Sequence, residues 1–240
     1  MTQPRKAEAL TPPCRVTFQM TMVVLYPLVI QPLFNKLSPL QPGELRDRIE
    51  ALARRMNFPL KHLYEIDGSK RTSHSNAYFF GLPWSKHIVI FDTLIKQAKP
   101  EEVEAVLAHE LGHWYYQHPT KLLSMSQVHI LVIIGCFPAF LHSPPLLLSF
   151  DFPSNVAVHP PVLVAFMLYQ LVVGPLDSIV QFGMHAVSRR FEYQADRFAC
   201  ELDDRFGVTV DGKADMGERL GKALIAIHIE NLATVWVDWL

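Results

Sequence analysis

The sequence predicts a mainly α-helical protein in which membrane-length helices accompany a small α+β block. Three observations lead there. Long uncharged apolar runs recur along the 240 residues. A polar stretch with mixed helix and strand patterning lies after the first run. A helix bearing a metal-ligand spacing closes that stretch. Half of the residues are hydrophobic and only 19% are charged, and with a mean hydropathy of +0.14 the chain is more apolar than an ordinary soluble domain. The net charge of −1 gives no electrostatic footprint for nucleic acid.

Residues 1–15 form a polar, proline-containing tail without the pattern of a cleavable signal peptide. From Val16 to Asn35 there is no formal charge, and Arg15 and Lys36 bound the run. Some 20 mostly apolar residues suffice for a spanning helix, and Pro27 and Pro32 are better tolerated in a membrane than in water. A buried core helix is the competing reading for this run. Residues 36–121 form the polar block. Within it, Glu44 to Met56 is amphipathic, with Leu45, Ile49, Leu52 and Met56 on one face. Leu63–Ile66 and His87–Phe91 read as short strands, and Gly68 to Arg71 as a turn. Leu122–Leu141 is the cleanest span. Residues 142–161 are proline-rich and read as a loop. Residues 162–187 read as a further span that continues as helix into residues 188–240. Gln170, Asp177 and Gln181 within it would face protein or water rather than lipid. Cys14, Cys136 and Cys200 are far apart and odd in number, so they make neither a disulfide framework nor a zinc ribbon.

The chemistry centres on His109-Glu110-Leu111-Gly112-His113. Pro100 with Glu101, Glu102 and Glu104 suits a helix start, Val103, Val106, Leu107 and Ala108 give it an apolar face, and Pro119 marks its expected end. Two histidines four apart share one helical face, so both can reach one zinc ion. Glu110 then stands as general base for a water activated at the metal as it attacks a carbonyl. The bland alternative, polar residues of a core helix, would bury two imidazoles and a carboxylate without partners. Glu192 in Ser188-Arg189-Arg190-Phe191-Glu192-Tyr193-Gln194-Ala195-Asp196 is the best third ligand, completing a His-His-Glu set of the gluzincin kind. Asp196, one turn on, suits the role of acceptor behind a ligand histidine. A solvated charged face balanced by Arg189 and Arg190 is the competing reading there.

These residues resemble a known family. Ser73-His74-Ser75-Asn76-Ala77-Tyr78-Phe79-Phe80-Gly81, Ser85 to Leu94, the His-Glu-Leu-Gly-His helix, Ser188 to Asp196 and the Tyr-Pro-Leu-Val-Ile-Gln-Pro-Leu-Phe-Asn-Lys stretch within Val23–Leu40 are together similar to type I CAAX prenyl proteases. The resemblance runs from about Val16 to Leu240. It implies a multi-pass protein of the endoplasmic reticulum membrane, surrounded by lipid and enclosing a chamber, with one zinc ion per chain on His109, His113 and Glu192. It further implies Glu110 as catalytic base and Asn76 beside the substrate strand. Asn76 as an ordinary turn residue is an equal reading. The implied substrates are prenylated CaaX proteins that lose their last three residues. Family members carry more spans before Val16 and a His-Tyr-Ser-His-Pro-like segment beyond Asn231-Leu232. The chain therefore resembles a C-terminal portion trimmed at both ends, with weak cleavage expected of this form. A general membrane quality-control zinc protease and a catalytically weak or inactive truncated paralogue are the other two readings.

Overall fold

The computed structural model describes residues 17–18, 21–22, 25, 37–67, 77–82, 84–141, 143–154, 161–206 and 216–230. The expected span at 16–35, the turn at 68–71 and Asn76 fall wholly or largely outside them. The described elements are β1 (Leu37–Pro39), α1 (Glu44–Arg55), β2 (Leu60–Ile66), β3 (Ala77–Leu82), β4 (Ser85–Phe91), α2 (Asp92–Gln97), α3 (Pro100–Tyr115), α4 (His118–Leu141), α5 (Pro144–Leu148), α6 (Val162–Cys200), α7 (Leu202–Phe206) and α8 (Met216–Glu230). They divide into two compact units. One holds residues 118–190, and the other holds 37–117 with 191–230.

In the second unit the sheet order is β1-β2-β4-β3, with β2 and β4 parallel and the outer pairs antiparallel. Central position explains β4: Ile88, Val89 and Ile90 are all buried, the unbroken apolar run of a strand covered on both faces. The amphipathic face read for α1 packs inward through Ile49, Leu52 and Met56, with Leu45 at its margin. Glu44 and Asp47 in its first turn and Arg54 and Arg55 in its last suit the helix dipole. Arg48 reaches from α1 to the buried Glu104 of α3 at 3.3 Å. Leu107, Leu111, Phe198, Leu202 and Met216 complete one core, shared by α1, α3, the last turns of α6, α7 and α8.

Two helices of the described chain are long and apolar enough to cross a membrane, α4 and α6. Only 6% and 11% of their most apolar stretches are buried, which argues against core helices of the described fold. Within their own unit the two are joined by Phe137 against Phe166 and Tyr169, and by the Tyr169 hydroxyl donating to the Ile133 carbonyl. Pro175 lies inside α6, and proline is better tolerated in a membrane helix than in a soluble one.

The architecture is therefore mostly helical with a small sheet, and among the described residues two membrane-length helices are found, at the second and third of the three expected runs. Two boundaries also differ from expectation. Pro119 does not end α3: that helix stops at Tyr115, Gln117 turns the chain at φ 56°, and Pro119 opens α4, where proline is favoured. The expected loop at 142–161 contains α5, which begins on Pro144-Pro145, because proline fixes a helical φ at first-turn positions, where no N–H is needed.

Candidate metal centre

α3 is built to hold its shape. Pro100 opens it, and the Lys99 backbone N–H donates to the Glu102 carboxylate at 2.9 Å, satisfying an otherwise orphaned terminal group. Val103, Ala105, Leu107, Ala108 and Leu111 are buried in the core, which fixes the rotation of the helix and leaves His109 and His113 on the side facing α6. Their rings lie 4.8 Å apart at 70°.

Gly112 sets how close the third ligand comes. A methyl group there would lie 3.2 Å from Ala195 Cα and 3.1 Å from Phe198 Cδ1, so any side chain at this position would push α6 back by a few tenths of an ångström. Phe198 is fully buried and meets Tyr115 at 5.0 Å and Tyr116 at 5.7 Å. Arg205 donates to the Tyr116 hydroxyl at 3.2 Å while its guanidinium pairs with Glu201. The last turns of α6 are thereby held against the end of α3.

The result brings together three donor atoms far apart in sequence. His109 Nε2 and His113 Nε2 are 3.1 Å apart, and Glu192 Oε2 is 3.4 Å from each. Tetrahedral zinc with ligands at 2.0–2.1 Å would set its donors about 3.3 Å apart, so the residues fit such an ion as they stand. Asp196 Oδ1 lies 2.8 Å from His109 Nδ1. The Nδ1–H therefore donates to the carboxylate, which turns the ring and aims Nε2 at the cluster. His109 and His113 are largely covered, whereas Glu192 is half exposed, so the cluster opens to solvent on its α6 side. Of the expected site residues, His109, His113, Glu192 and Asp196 are thus assembled, and Glu110 sits beside them on α3.

Burial opposes the charged form of His109, but hydrogen bonds with Asp196 and Glu192 outweigh it and raise the group to about 9. The same two imidazoles, through hydrogen bonds from His109 and then His113, hold Glu192 well below the usual carboxylate range. Burial pushes Glu110 up, while His109 and His113 pull it part of the way back. At neutral pH the metal-free His109 keeps its second proton, and a cation must displace it. Metal binding is expected to release a proton near neutral pH and to tighten as the pH rises toward 9. Above that value His109 has lost the proton already, and the dependence levels off. Calorimetry in buffers of different ionisation heat measures the proton count. An affinity flat between about pH 6 and pH 9 would contradict His109 as a ligand.

Asp196 gives a separate test. Asp196→Leu removes the acceptor behind His109 and should weaken zinc binding by about 10- to 100-fold while the fold persists. Chelator competition measures this. Unchanged affinity would assign Asp196 to the solvated surface instead.

The profile of peptidase family M48 matches residues 39–221, and the chain belongs to that family. Among its relatives, a probable CAAX prenyl protease 1 of Schizosaccharomyces pombe is 43% identical over 223 residues, covering 93% of this chain and 44% of that protein. CAAX prenyl protease 1 of Saccharomyces cerevisiae is 40% identical over 231 residues, covering 92% and 48%. The crystal structure of S. mikatae Ste24p superposes with a TM-score of 0.77 at 38% identity, over 97% of this chain and 54% of that one. The chain thus spans about half the length of the relatives it matches. Within M48 its likeness is to type I CAAX prenyl proteases, and the quality-control alternative is not favoured.

Gly112 was not picked out by sequence reasoning as more than part of the motif. A glycine inside an otherwise strong helix is the signal that a close approach is needed there.

Proposed function

We propose that this chain carries the zinc centre of a metalloendopeptidase that removes the C-terminal tripeptide from prenylated CaaX proteins. The observation that carries the reading is the set of three donor atoms on α3 and α6 at tetrahedral edge lengths, with Glu110 next in chain to a ligand. His109, His113 and Glu192 would hold the zinc ion, which would supply Lewis acidity toward a carbonyl oxygen and a bound water. Asp196 holds the Nδ1 proton of His109 and keeps Nε2 free for the ion. Glu110 takes a proton from the attacking water and returns it to the leaving amine. Its burial keeps that carboxylate basic enough for both transfers.

The test is a farnesylated peptide ending in Cys-aliphatic-aliphatic-X, incubated with purified chain in lipid or detergent. Release of the intact tripeptide, dependent on zinc and on the farnesyl group, supports the reading. Cleavage at internal bonds regardless of the prenyl group would point instead to a general membrane protease.

We further propose insertion into the endoplasmic reticulum membrane through α4 and α6. Two crossings return the chain to its starting side, as the meeting of His113 with Glu192 requires. Lys36, Arg46, Arg54, Arg55, Lys61, Arg189 and Arg190 put that side in the cytoplasm. Extraction by carbonate, or opposite-side labelling of positions 70 and 190, would contradict the arrangement.

A further inference from the structure

α1 and β2 are joined by a sharp corner. The helix ends at Arg55, and Asn57 turns the chain at φ 52°, a left-handed conformation that asparagine adopts more readily than most residues. The Phe58 N–H then donates back to the Ala53 carbonyl at 2.9 Å. One side of α1 and the first half of β2 thereby enclose a cavity of about 500 Å³ that opens to solvent, a volume suited to a small ligand. It lies wholly within the unit that holds residues 37–117, and the metal donors are not among its lining residues. Its inner wall is apolar. Ala53, Phe58 and Leu63 are buried there, with Leu60 half-buried beside them.

The charges on its rim do not balance. Among the described lining residues Glu50 is the single carboxylate. Arg46 already occupies it, with Nε at 2.9 Å, and spends Nη1 on the Leu40 carbonyl at 3.1 Å. Arg54 Nε donates to the Glu50 backbone carbonyl at 3.1 Å. The terminal nitrogens of Arg54 and the ammonium of Lys61 have no acidic partner among the described residues, and both side chains are exposed. Two surplus cations beside an apolar wall complement a ligand built the opposite way, an anionic head on an apolar body. The arginine fork matches paired anionic oxygens, and lysine adds a point charge. A carboxylate brings one negative charge, whereas a phosphate monoester brings close to two at neutral pH and so answers both cations. We propose that this cavity binds a phosphate monoester carried on an apolar body, its phosphate held by Arg54 and Lys61 and its apolar part laid against Phe58, Leu60 and Leu63. The headgroup of a phosphatidic acid and a soluble organic phosphate both offer that chemistry.

The test titrates the full chain, in a neutral detergent, with four probes and counts bound molecules by native mass spectrometry. The probes are dihexanoyl phosphatidic acid, phenyl phosphate, dihexanoyl phosphatidylcholine and inorganic phosphate. One phosphatidic acid or one phenyl phosphate per chain should bind at least about tenfold more tightly than inorganic phosphate, which lacks the apolar part, or phosphatidylcholine, which lacks net charge. The tighter of the two monoesters names the source. Arg54→Gln and Lys61→Gln should each weaken that binding about fivefold, the effect of one basic group beside an anionic headgroup. Arg55→Gln removes the same charge from the same end of α1 but outside the cavity, and should bind as the parent does. Lys61→Arg keeps the charge, guards against a variant that merely misfolds, and should also match the parent. No bound monoester, or inorganic phosphate or phosphatidylcholine bound as tightly as either monoester, would overturn the proposal. So would glutamine variants at 54 and 61 with the parent's affinity, or an equal loss in Arg55→Gln.

Discussion

Glu110→Gln is expected to bind zinc as tightly as the parent chain and to lose about a hundredfold to ten-thousandfold in peptide hydrolysis. Glutamine keeps the size of the side chain and its place on α3, where the neighbouring His109 and His113 remain on the largely covered side facing α6. What it cannot do is accept a proton from water and hand it on. The donor cluster itself is His109, His113 and Glu192, so removing the charge at position 110 leaves every ligand in place. Metal content by mass spectrometry and hydrolysis of a farnesylated peptide separate the two effects. A variant that loses its metal along with its activity would show Glu110 to be part of the binding set, and the assignment of roles would fail.

The complementary expectation concerns the ligands. Glu192→Ala should lower zinc affinity by at least about a hundredfold, beyond the effect expected for a residue that only supports a ligand. Two imidazoles alone make a poor site, because a catalytic zinc takes three protein donors. His113→Ala should behave in the same way, whereas core burial in α3 and the packing of Phe198 are untouched by either change. Both variants should therefore keep their helical content and their detergent-solubilised size. Zinc content in His113→Ala equal to that of the parent would remove the basis for the site.

Much of this was legible before any coordinates. The α3 helix could be read because its start, its apolar face and the i,i+4 histidines agree with one another, and local consistency of that kind needs no tertiary information. Glu192 and Asp196 read as a pair one turn apart, one a ligand and one an acceptor behind it, but their approach to the histidines depends on how α6 packs. Gly112 is the clearest case of what stays hidden. Its meaning lies in Ala195 and Phe198, which are distant in sequence, and nothing within its own helix announces them. β3 was read only as part of a family pattern, because Ala-Tyr-Phe-Phe-Gly-Leu lacks the alternation of a half-buried strand. α5 begins on two prolines and so looked like a loop. Asp177 reads as a polar exception in its apolar run, yet its partner, His129 Nε2 at 2.7 Å, lies 48 positions away and is not a property of that run.

Glu192 follows His113 by 79 positions, and α4 and most of α6 lie between them. A nascent chain that has completed α3 holds two of its three donors, and the last arrives only after α4 and most of α6 have been made. If α4 and α6 span the membrane as proposed, metal capture becomes a late event of synthesis: the trio cannot close on a chain that has made only the first of them.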